Sequence, residues 1–400
     1  MLSTRRRLLS GLGLAVVPAT QGLVGTRRQS ETVSTSDGWP MGRYDPAGTS
    51  HTPAISGPKS AVDVAWRATL PSWFSGVSAP ICIDDTLYVA GNGVAAVDVD
   101  TGQQEFAIQG PARSPPARAT SPIYRTDTLV VTGNQGPVGF NGGGGLDLPF
   151  VGSLAGTRWQ VRSDDSSYFT SEPVPPVTVD GTAYVVLPET EQVAAVDATD
   201  GSILWERDHG SADGFTDVSV RPAVADETVY TATQRGTVRA VDTATGVDQW
   251  QVQLDVIGPR APTATDDGVV VPTREGMYYL DGEDGAIGWH RELDGNATEG
   301  SAAVDGETVY WTNGNGMLYA LDLRTGETQW SRDGFSSGAP AVADGVVYVT
   351  HGNRITAVDA TDGAERFEYS GTFILSPSIV QDGRLYHVDT HHLVALEATR

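Results

Sequence analysis

A short block recurs along this chain, and its recurrence constrains the fold more than any other feature of the sequence. Each copy runs from Ala-Val-Asp, or a close variant, through a turn that ends in Gly to an aromatic residue. In six complete copies the Asp lies four residues before the Gly and eight before the aromatic. The Asp residues are Asp98, Asp197, Asp242, Asp281, Asp322 and Asp359. A spacing of about 40 residues between copies is typical of folds built from stacked supersecondary units.

Each unit contains two further runs with strand character, upstream of the block. In the seventh unit, Ala339–Ala343 and Val346–Thr350 precede the block and are joined by Asp344-Gly345. Alternating β-branched runs separated by Asp-Gly and Gly-bearing turns predict four short antiparallel strands per unit. Asp side chains can accept hydrogen bonds from amides of their own turn, and Gly readily adopts positive φ. The residues expected to hold the repeat together are these Asp residues with Gly102, Trp66, Trp159, Trp205, Trp250, Trp289, Trp330 and Phe367.

Counting the units predicts an eight-bladed β-propeller. Three-strand runs begin near residues 77, 120, 174, 219, 260, 300, 338 and 375, but only seven fourth strands follow them. The eighth aromatic is Trp66, which precedes the first unit, so the N-terminal strand should pair with the last blade and close the ring. A seven-bladed ring is the alternative, because Gly142–Gly145 and an irregular stretch interrupt the second unit. The predicted domains are a signal peptide and tail (1–29), a flexible lead-in (30–60) and one propeller (61–400).

The N-terminus predicts export. Arg5, Arg6 and Arg7 precede an apolar run, Leu8–Val17, which is too short to cross a hydrocarbon core of about 30 Å. This pattern resembles a twin-arginine signal peptide, with a disordered basic tail as the alternative. We therefore expect an extracellular or cell-surface protein without a transmembrane segment.

The charge excludes one class of partner. The formal net charge is −24, and Lys59 is the only lysine. Such a surface repels nucleic acid and anionic membranes, which bind positive patches. At molar salt the Debye length is about 3 Å, so this self-repulsion would be screened. The composition favours a halophilic protein over an ordinary acidic secreted one.

Two isolated residues predict local properties. Cys82 is the only cysteine and lies in an apolar run, so we expect a buried strand residue and no intramolecular disulfide. Asn296-Ala297-Thr298 is an N-glycosylation sequon, which makes Asn296 a candidate glycan acceptor in an exported chain.

The repeat resembles a known family. Ala-x-Asp-x-x-Thr-Gly-x-x-x-Trp is similar to the tryptophan-docking repeat of the pyrroloquinoline quinone (PQQ) propeller superfamily, in a secreted haloarchaeal form. Trp39–Ala47 also looks like the segment that leads into such propellers. The resemblance implies an all-β propeller, whereas its functions range from quinoprotein alcohol dehydrogenases to the propeller lipoprotein of the Gram-negative outer-membrane assembly machine. The dehydrogenases hold PQQ with calcium, a cysteine pair and inserted loops, and this chain has one cysteine.

Two candidate binding sites follow from position in the repeat. Arg118, Arg221 and Arg260 each lie just before the inner-strand position of their repeats, so they could hold an anionic ligand at one mouth of the channel. Alternatively, each pairs with a neighbouring Asp. His387, Asp389 and His391 alternate and could form a metal trio on one strand face, whereas repeat alignment places Asp389–His392 in a polar hairpin turn. No catalytic residue is predicted.

These observations predict an exported, monomeric, non-enzymatic scaffold that binds protein partners at the cell surface and needs no cofactor. The first alternative is an alcohol or sugar dehydrogenase with a reduced PQQ and calcium site. A second is a carbohydrate- or metal-binding surface module. Exposed aromatic residues in loops would favour binding, and the candidates are Trp73, Phe74, Phe215 and Phe335.

Overall fold

The repeat folds into a closed ring of small antiparallel sheets. The computed structural model describes residues 38–400 except 77, 149–151, 155, 162–172, 188–191, 209–219, 257, 297–299, 337 and 374. The predicted signal peptide, residues 1–29, lies outside the described residues, as does Phe215. The described residues form strands and turns with no helix.

Each of the eight blades is a four-stranded antiparallel sheet. Two strands, β1 (His51–Thr52) and β2 (Val62–Thr69), precede the first blade along the chain. The strands of the first four blades, with the two in the insertion, are β3 (Ile81–Ile83), β4 (Thr86–Ala90), β5 (Gly93–Asp98), β6 (Gln104–Gln109), β7 (Ala117–Ala119), β8 (Thr128–Gly133), β9 (Gly136–Asn141), β10 (Leu146–Leu148), β11 (Gly152–Leu154), β12 (Thr157–Gln160), β13 (Val177–Val179), β14 (Thr182–Val186), β15 (Gln192–Asp197), β16 (Ile203–Asp208), β17 (Ala223–Ala225), β18 (Thr228–Ala232), β19 (Thr237–Asp242) and β20 (Asp248–Gln253). The remaining strands are β21 (Thr263–Ala264), β22 (Gly268–Pro272), β23 (Gly276–Asp281), β24 (Ile287–Glu292), β25 (Ala303–Val304), β26 (Thr308–Thr312), β27 (Gly316–Asp322), β28 (Thr328–Phe335), β29 (Ala339–Ala343), β30 (Val346–His351), β31 (Arg354–Asp359), β32 (Glu365–Ser370), β33 (Ile379–Gln381), β34 (Arg384–Asp389) and β35 (His392–Ala398).

Counted along the chain, the blades confirm the eight-bladed prediction. Blade 1 is β3–β6, blade 2 is β7, β8, β9 and β12, and blades 3 to 7 each take the next four strands in order. Blade 8 combines β33, β34 and β35 with the N-terminal β2. The irregular stretch of the second unit forms a separate hairpin, β10–β11, so it adds to blade 2 without removing it. The seven-bladed alternative is wrong.

Closure of the ring depends on the strand that contains Trp66. Strand β2 pairs with β35 in an antiparallel register that sets Trp66 opposite Ala395. The outer strand of blade 8 thus comes from the opposite end of the chain to its three inner strands. The pairing covers two strand edges that would otherwise be exposed at the ends of the chain.

The Asp residues of the repeat lie in the turns between third and fourth strands. The Asp98 Oδ1 atom accepts hydrogen bonds from the backbone N and the hydroxyl of Thr101, and the same carboxylate–threonine arrangement recurs at Asp242 and Asp322. These hydrogen bonds lower the pKa of the Asp98 carboxyl. Asp197, Asp281 and Asp359 accept the backbone N–H of the residue two positions on. The carboxylates are therefore used within their turns.

The Gly at the end of each such turn is where one blade contacts the next. Gly246 has φ 69°, and a Cβ added to it would lie 2.8 Å from the Trp205 ring of the preceding blade. The Trp205 Nε1–H donates to the Thr243 carbonyl (2.8 Å) in the same turn. Six tryptophans make this bond, from Trp66 to Val99 O, Trp159 to Ala198 O, Trp205 to Thr243 O, Trp250 to Gly282 O, Trp289 to Leu323 O and Trp330 to Ala360 O. The docked rings fill the seams between adjacent blades.

Two ends of the propeller differ in their connections. One end, called the turn end here, carries the turns between first and second strands and between third and fourth strands. In blade 4 these two turns touch, through the Thr243 N–H and the Glu227 carbonyl (2.9 Å). The loop end carries the connections between blades and the hairpins between second and third strands.

Candidate functional site

The channel in the middle of the ring is bordered by the innermost strand of each blade, and the segment preceding the propeller runs along it. The lead-in segment, residues 38–60, hydrogen-bonds in sequence order to the inner strands of blades 1, 2, 4, 5, 6 and 7. The prediction that residues 30–60 are a flexible lead-in is wrong for this described part. Six backbone N–H groups of the inner strands donate to carbonyl oxygens of this segment at N···O distances of 2.8–2.9 Å. The donor and acceptor pairs are Cys82 to Trp39, Arg118 to Pro40, Val224 to Pro46, Ala264 to Ala47, Val304 to Thr49 and Val342 to Ser50.

An inner strand exposes backbone N–H groups on the side away from its sheet, and those groups require acceptors when water is excluded. The lead-in supplies these acceptors and continues as β1, which pairs in parallel with β29 of blade 7. Trp39, Met41 and Tyr44 of this segment are buried, and the Trp39 and Tyr44 rings meet edge to face with centroids 5.0 Å apart. The segment is thus part of the folded core.

Tight backbone geometry accompanies this path. Arg43, Tyr44 and Ser50 have φ values of 67°, 71° and 51°, the left-handed region that side chains disfavour. The Arg43 carbonyl accepts hydrogen bonds from both Asp45 N and Ser50 N (3.0 Å each), which closes residues 43–50 into a compact loop. Surrounding contacts must hold such a conformation in place.

A pair of guanidinium groups anchors this loop. Arg43 donates to the Pro262 carbonyl (2.9 Å), the Thr263 hydroxyl (2.6 Å) and the Ala302 carbonyl (2.6 Å), so it joins blades 5 and 6. Arg221 of blade 4 is buried and donates to the Asp45 carbonyl oxygen (2.7 Å). Burial lowers the pKa of Arg43 to about 9, with the neighbouring Arg221 charge adding to the effect, and lowers the pKa of Arg221 to about 10.

Asp45 is the acidic member of this cluster. Its carboxylate oxygens accept from the Thr49 backbone N (2.8 Å) and the Thr49 hydroxyl (2.6 Å). Burial raises the pKa of the Asp45 carboxyl, while these hydrogen bonds and Arg221 oppose the rise. The cluster positions the lead-in segment, because its hydrogen bonds join that segment to three blades.

The three arginines predicted to share an anionic ligand have different surroundings. Arg118 forms an ion pair with Asp127 (2.8 Å), as the pairing alternative predicts. Arg221 is engaged by the lead-in, and the Arg260 backbone N donates to the Pro272 carbonyl (2.7 Å) with its side chain half-buried. The prediction of a shared site is wrong for Arg118 and Arg221, because protein groups already occupy their guanidinium groups. Sequence reasoning missed Arg43, whose position after Trp39-Pro40-Met41-Gly42 was the available signal.

The His-rich strand of blade 8 does not assemble the predicted metal trio. His387 is fully buried in β34, and neither of its ring nitrogens has a hydrogen-bond partner among the described residues. The Asp389 carboxylate instead accepts from the His392 backbone N (3.1 Å) and faces the His392 ring nitrogen Nδ1 (3.0 Å), and His391 is exposed in the turn. Within the described residues, no cluster of three or more His, Cys, Asp or Glu side chains could hold a metal ion. The polar-turn alternative accounts for Asp389–His392.

The remaining predicted residues fall in several environments. Cys82 is buried and free in β3, and burial raises the pKa of its thiol. Phe74 and Phe335 are buried and Trp73 is half-buried, so the expectation of exposed loop aromatics is wrong for the first two. Asn296 is exposed, and its glycosylation stays a prediction. Across the described part of the chain, no helix has the length and hydropathy needed to span a membrane.

The geometry defines a class first: a propeller with tryptophan-docked blades of the PQQ-like type. The sequence model of the family described as outer membrane protein assembly factor BamB matches residues 155–369 and 315–399, which together exceed half of the chain. The chain belongs to this family of PQQ-like β-propellers.

Individual relatives agree with this assignment. The outer membrane protein assembly factor BamB of Moranella endobia is 30% identical over 204 residues, which cover 47% of this chain and 51% of the relative. The outer membrane protein assembly factor BamB of Shewanella oneidensis is 27% identical over 215 residues, which cover 48% of this chain and 53% of the relative. The chain thus spans about half the length of the curated relatives it matches.

Among solved structures, the likeness extends over nearly the whole ring. The crystal structure of BamB from Moraxella catarrhalis matches with a TM-score of 0.61 and 14% identity, covering 84% of this chain and 100% of that one. Quinohemoprotein alcohol dehydrogenase from Comamonas testosteroni matches with a TM-score of 0.69 and 14% identity, covering 92% and 82%. Because both identities are low, these two structures show a shared fold only.

Proposed function

We propose that this protein is an exported, non-enzymatic β-propeller that acts as a binding or assembly scaffold for protein partners at the cell surface. Membership in the BamB family supports a scaffold role, since relatives carry the name of an assembly factor. The single structural observation that carries the proposal is the lead-in segment, which hydrogen-bonds to the inner strands of six of the eight blades. With the inner strands bonded to this segment, binding of partners falls to the outer surfaces of the ring.

The residues present do not fit a PQQ and calcium site. Calcium binds six to eight oxygen ligands, usually including several carboxylates, and the described residues contain no cluster of His, Cys, Asp or Glu that could hold a metal. The cysteine pair that the quinoprotein resemblance implies cannot form, because Cys82 is alone in the sequence and buried. Arg43 and Arg221, cations suited to a carboxylate ligand, already donate to protein oxygens. We therefore propose a protein that works without a cofactor.

Export, halophily and a monomeric state complete the proposal. The twin-arginine-type N-terminus supports export in a folded form, and the net charge of −24 supports a setting of high salt. Lys59, the only lysine, forms an ion pair with Asp344 (2.6 Å), and both side chains are about half exposed. Because salt screens exposed ion pairs, this pair contributes little to the free energy of folding at high salt.

Copurification tests the scaffold proposal. The full chain with a C-terminal affinity tag is expressed in its native host and recovered at molar salt, and its partners are quantified by mass spectrometry. An unrelated exported acidic protein with the same tag is the control. We expect a defined envelope protein near one-to-one stoichiometry with the tagged chain. Recovery of the tagged chain alone, or alcohol-dependent dye reduction by the recovered protein with PQQ and calcium, would contradict the proposal.

A further inference from the structure

Exposed apolar side chains are concentrated on one part of the ring. Among the described residues eight large hydrophobic side chains are exposed, and six of them lie on four consecutive blades, 2 to 5, toward the turn end. They are Ile123 (69% exposed), Tyr124, Ile203, Leu204 (54%), Val247 (55%) and Ile287 (52%), and they are called the outer patch here. Contiguous exposed apolar surface on a soluble domain commonly marks an interaction site.

The repeat supplies its own comparison for this patch. In blade 1 and in blades 3 to 7, three residues separate the turn Gly from the aromatic, and they lie at the start of the outermost strand. In blades 3, 4 and 5 these positions include Ile203, Leu204, Val247 and Ile287, all exposed. The equivalent residues of blades 1 and 6 are wholly polar: Gln103-Gln104-Glu105 and Glu327-Thr328-Gln329. The propeller fold therefore does not require apolar side chains there, and packing does not explain them.

Docking at the seams holds the blades that carry the outer patch next to one another. Trp205 of blade 3 packs on Gly246, the residue before Val247 of blade 4. In the same way Trp250 packs on Gly285, two residues before Ile287 of blade 5. On the other side, the Ser121 and Thr199 hydroxyl oxygens, 3.3 Å apart, join the loop that carries Ile123 to a turn of blade 3.

The charges around the outer patch select the kind of partner. Exposed acidic residues of neighbouring turns border it: Asp200, Asp226, Asp267, Glu283 and Asp284. Among the nearby cations, Arg158 lies over the Tyr124 ring at 4.0 Å, and both Arg207 and Arg239 contact Asp248. Arg125, beside Tyr124, is exposed, so the five acidic side chains outnumber the exposed cation next to the patch. An apolar surface with an acidic border complements an apolar segment that carries basic residues. A second copy of this chain seated with its own outer patch on this one would place two acidic borders at contact distance, where like charges oppose association.

We propose that the outer patch is the docking surface for a protein segment that presents apolar side chains flanked by Arg or Lys. This inference rests on the proposed scaffold function and names the surface and the partner chemistry through which the scaffold would act. The Tyr124 ring and the branched side chains supply the apolar contact, and the acidic turns orient the basic residues of the partner.

Fluorescence anisotropy with three synthetic probes tests the proposal. The probes are labelled peptides of equal length that alternate Leu with Arg, Leu with Glu, and Ser with Arg, titrated at the lowest salt that leaves the circular dichroism of the protein unchanged. We expect the Leu/Arg peptide to bind at least tenfold more tightly than either of the others. The double substitution Leu204→Ser with Ile287→Ser should weaken it at least tenfold. Both side chains are exposed, so the fold should persist.

The matched control is Phe373→Ser, which removes an exposed apolar side chain at the loop end and should leave binding unchanged. Equal loss in this control, no loss in the double variant, or equal binding of the Ser/Arg peptide would overturn the proposal. Two other occupants of the outer patch would also overturn the proposal. A second copy of the chain would give a concentration-dependent dimer that the double variant does not form. The chain's own N-terminal segment would compete with the peptide, so a chain lacking residues 1–37 would bind the peptide more tightly. Copurification of an unchanged partner by the double variant would reject the outer patch and leave the scaffold function standing.

Discussion

Substitution of Gly246 by Ala measures how much the docking of one blade on the next contributes to stability. Gly246 has φ 69°, and an added Cβ would lie 2.8 Å from both the Cδ2 and Cε3 atoms of Trp205. A non-Gly residue in this left-handed conformation costs about 1–2 kcal/mol. Displacing the indole adds about 1–3 kcal/mol of overpacking, and weakening the Trp205–Thr243 hydrogen bond adds about 1 kcal/mol. We expect a total loss of about 3–6 kcal/mol.

Gly345→Ala is the matched control. Gly345 has φ 74°, but an added Cβ would have no described atom within 4 Å beyond its chain neighbours. The two variants therefore share the conformational cost, and their difference isolates the contact with Trp205. The assay is equilibrium denaturation at fixed molar salt, with Trp205→Leu combined with each substitution. We expect Gly246→Ala to exceed Gly345→Ala by about 2 kcal/mol or more, and the excess to shrink in the Trp205→Leu background. Equal losses in the two single variants would refute the docking argument.

Further predictions concern the ends of the chain, pH and salt. Deleting residues 1–61 keeps the strand of Trp66 but removes the lead-in, so it should lower the denaturation midpoint strongly, whereas deleting 1–37 should not; equal midpoints would contradict the role of the lead-in. Burial lowers the pKa of His387 to about 4, so below the unfolded value of about 6.5 the unfolded chain takes up a proton that the folded one does not. The free energy of unfolding should therefore fall by about 3 kcal/mol between pH 6.5 and pH 4, and His387→Leu should reduce that fall. Identical pH profiles of the unsubstituted chain and the variant would show that His387 does not cause the fall. Dilution from molar to low salt should lower the melting temperature through unscreened repulsion, and an unchanged melting temperature would contradict the halophilic prediction.

The architecture of the ring could be predicted from the sequence because its determinants are local and repeated. The spacing of Asp, Gly and aromatic residues reflects one turn geometry, in which the Asp side chain bonds its own turn and the Gly lies under a tryptophan. Closure was predictable because Trp66 lacked a block of its own and the last unit lacked an aromatic. Each of these features can be counted without knowing distant contacts.

The channel could not be predicted in the same way, because its contacts join residues far apart in the sequence. Arg43 bonds to Pro262 and Ala302, more than two hundred residues away, and no periodic pattern marks such a contact. Residues 38–60 show no repeat or alternating pattern and contain many Gly and Pro residues, so the sequence predicts a flexible segment. In the structure their backbone hydrogen-bonds to the inner strands. His387 and Asp389 were grouped by strand alternation, yet one is buried and the other turns toward His392. Alternation predicts a shared face but not what lies opposite it.

A melting measurement distinguishes a scaffold without a PQQ site from a quinoprotein dehydrogenase. Thermal unfolding of the full chain is followed at molar salt with and without PQQ, each in the presence and absence of calcium. A ligand at 100 times its Kd would stabilise the fold by about 2.7 kcal/mol, which a melting curve resolves. We expect superimposable curves with and without PQQ. A calcium-dependent rise in the melting temperature on addition of PQQ would contradict a scaffold without a PQQ site and favour a dehydrogenase.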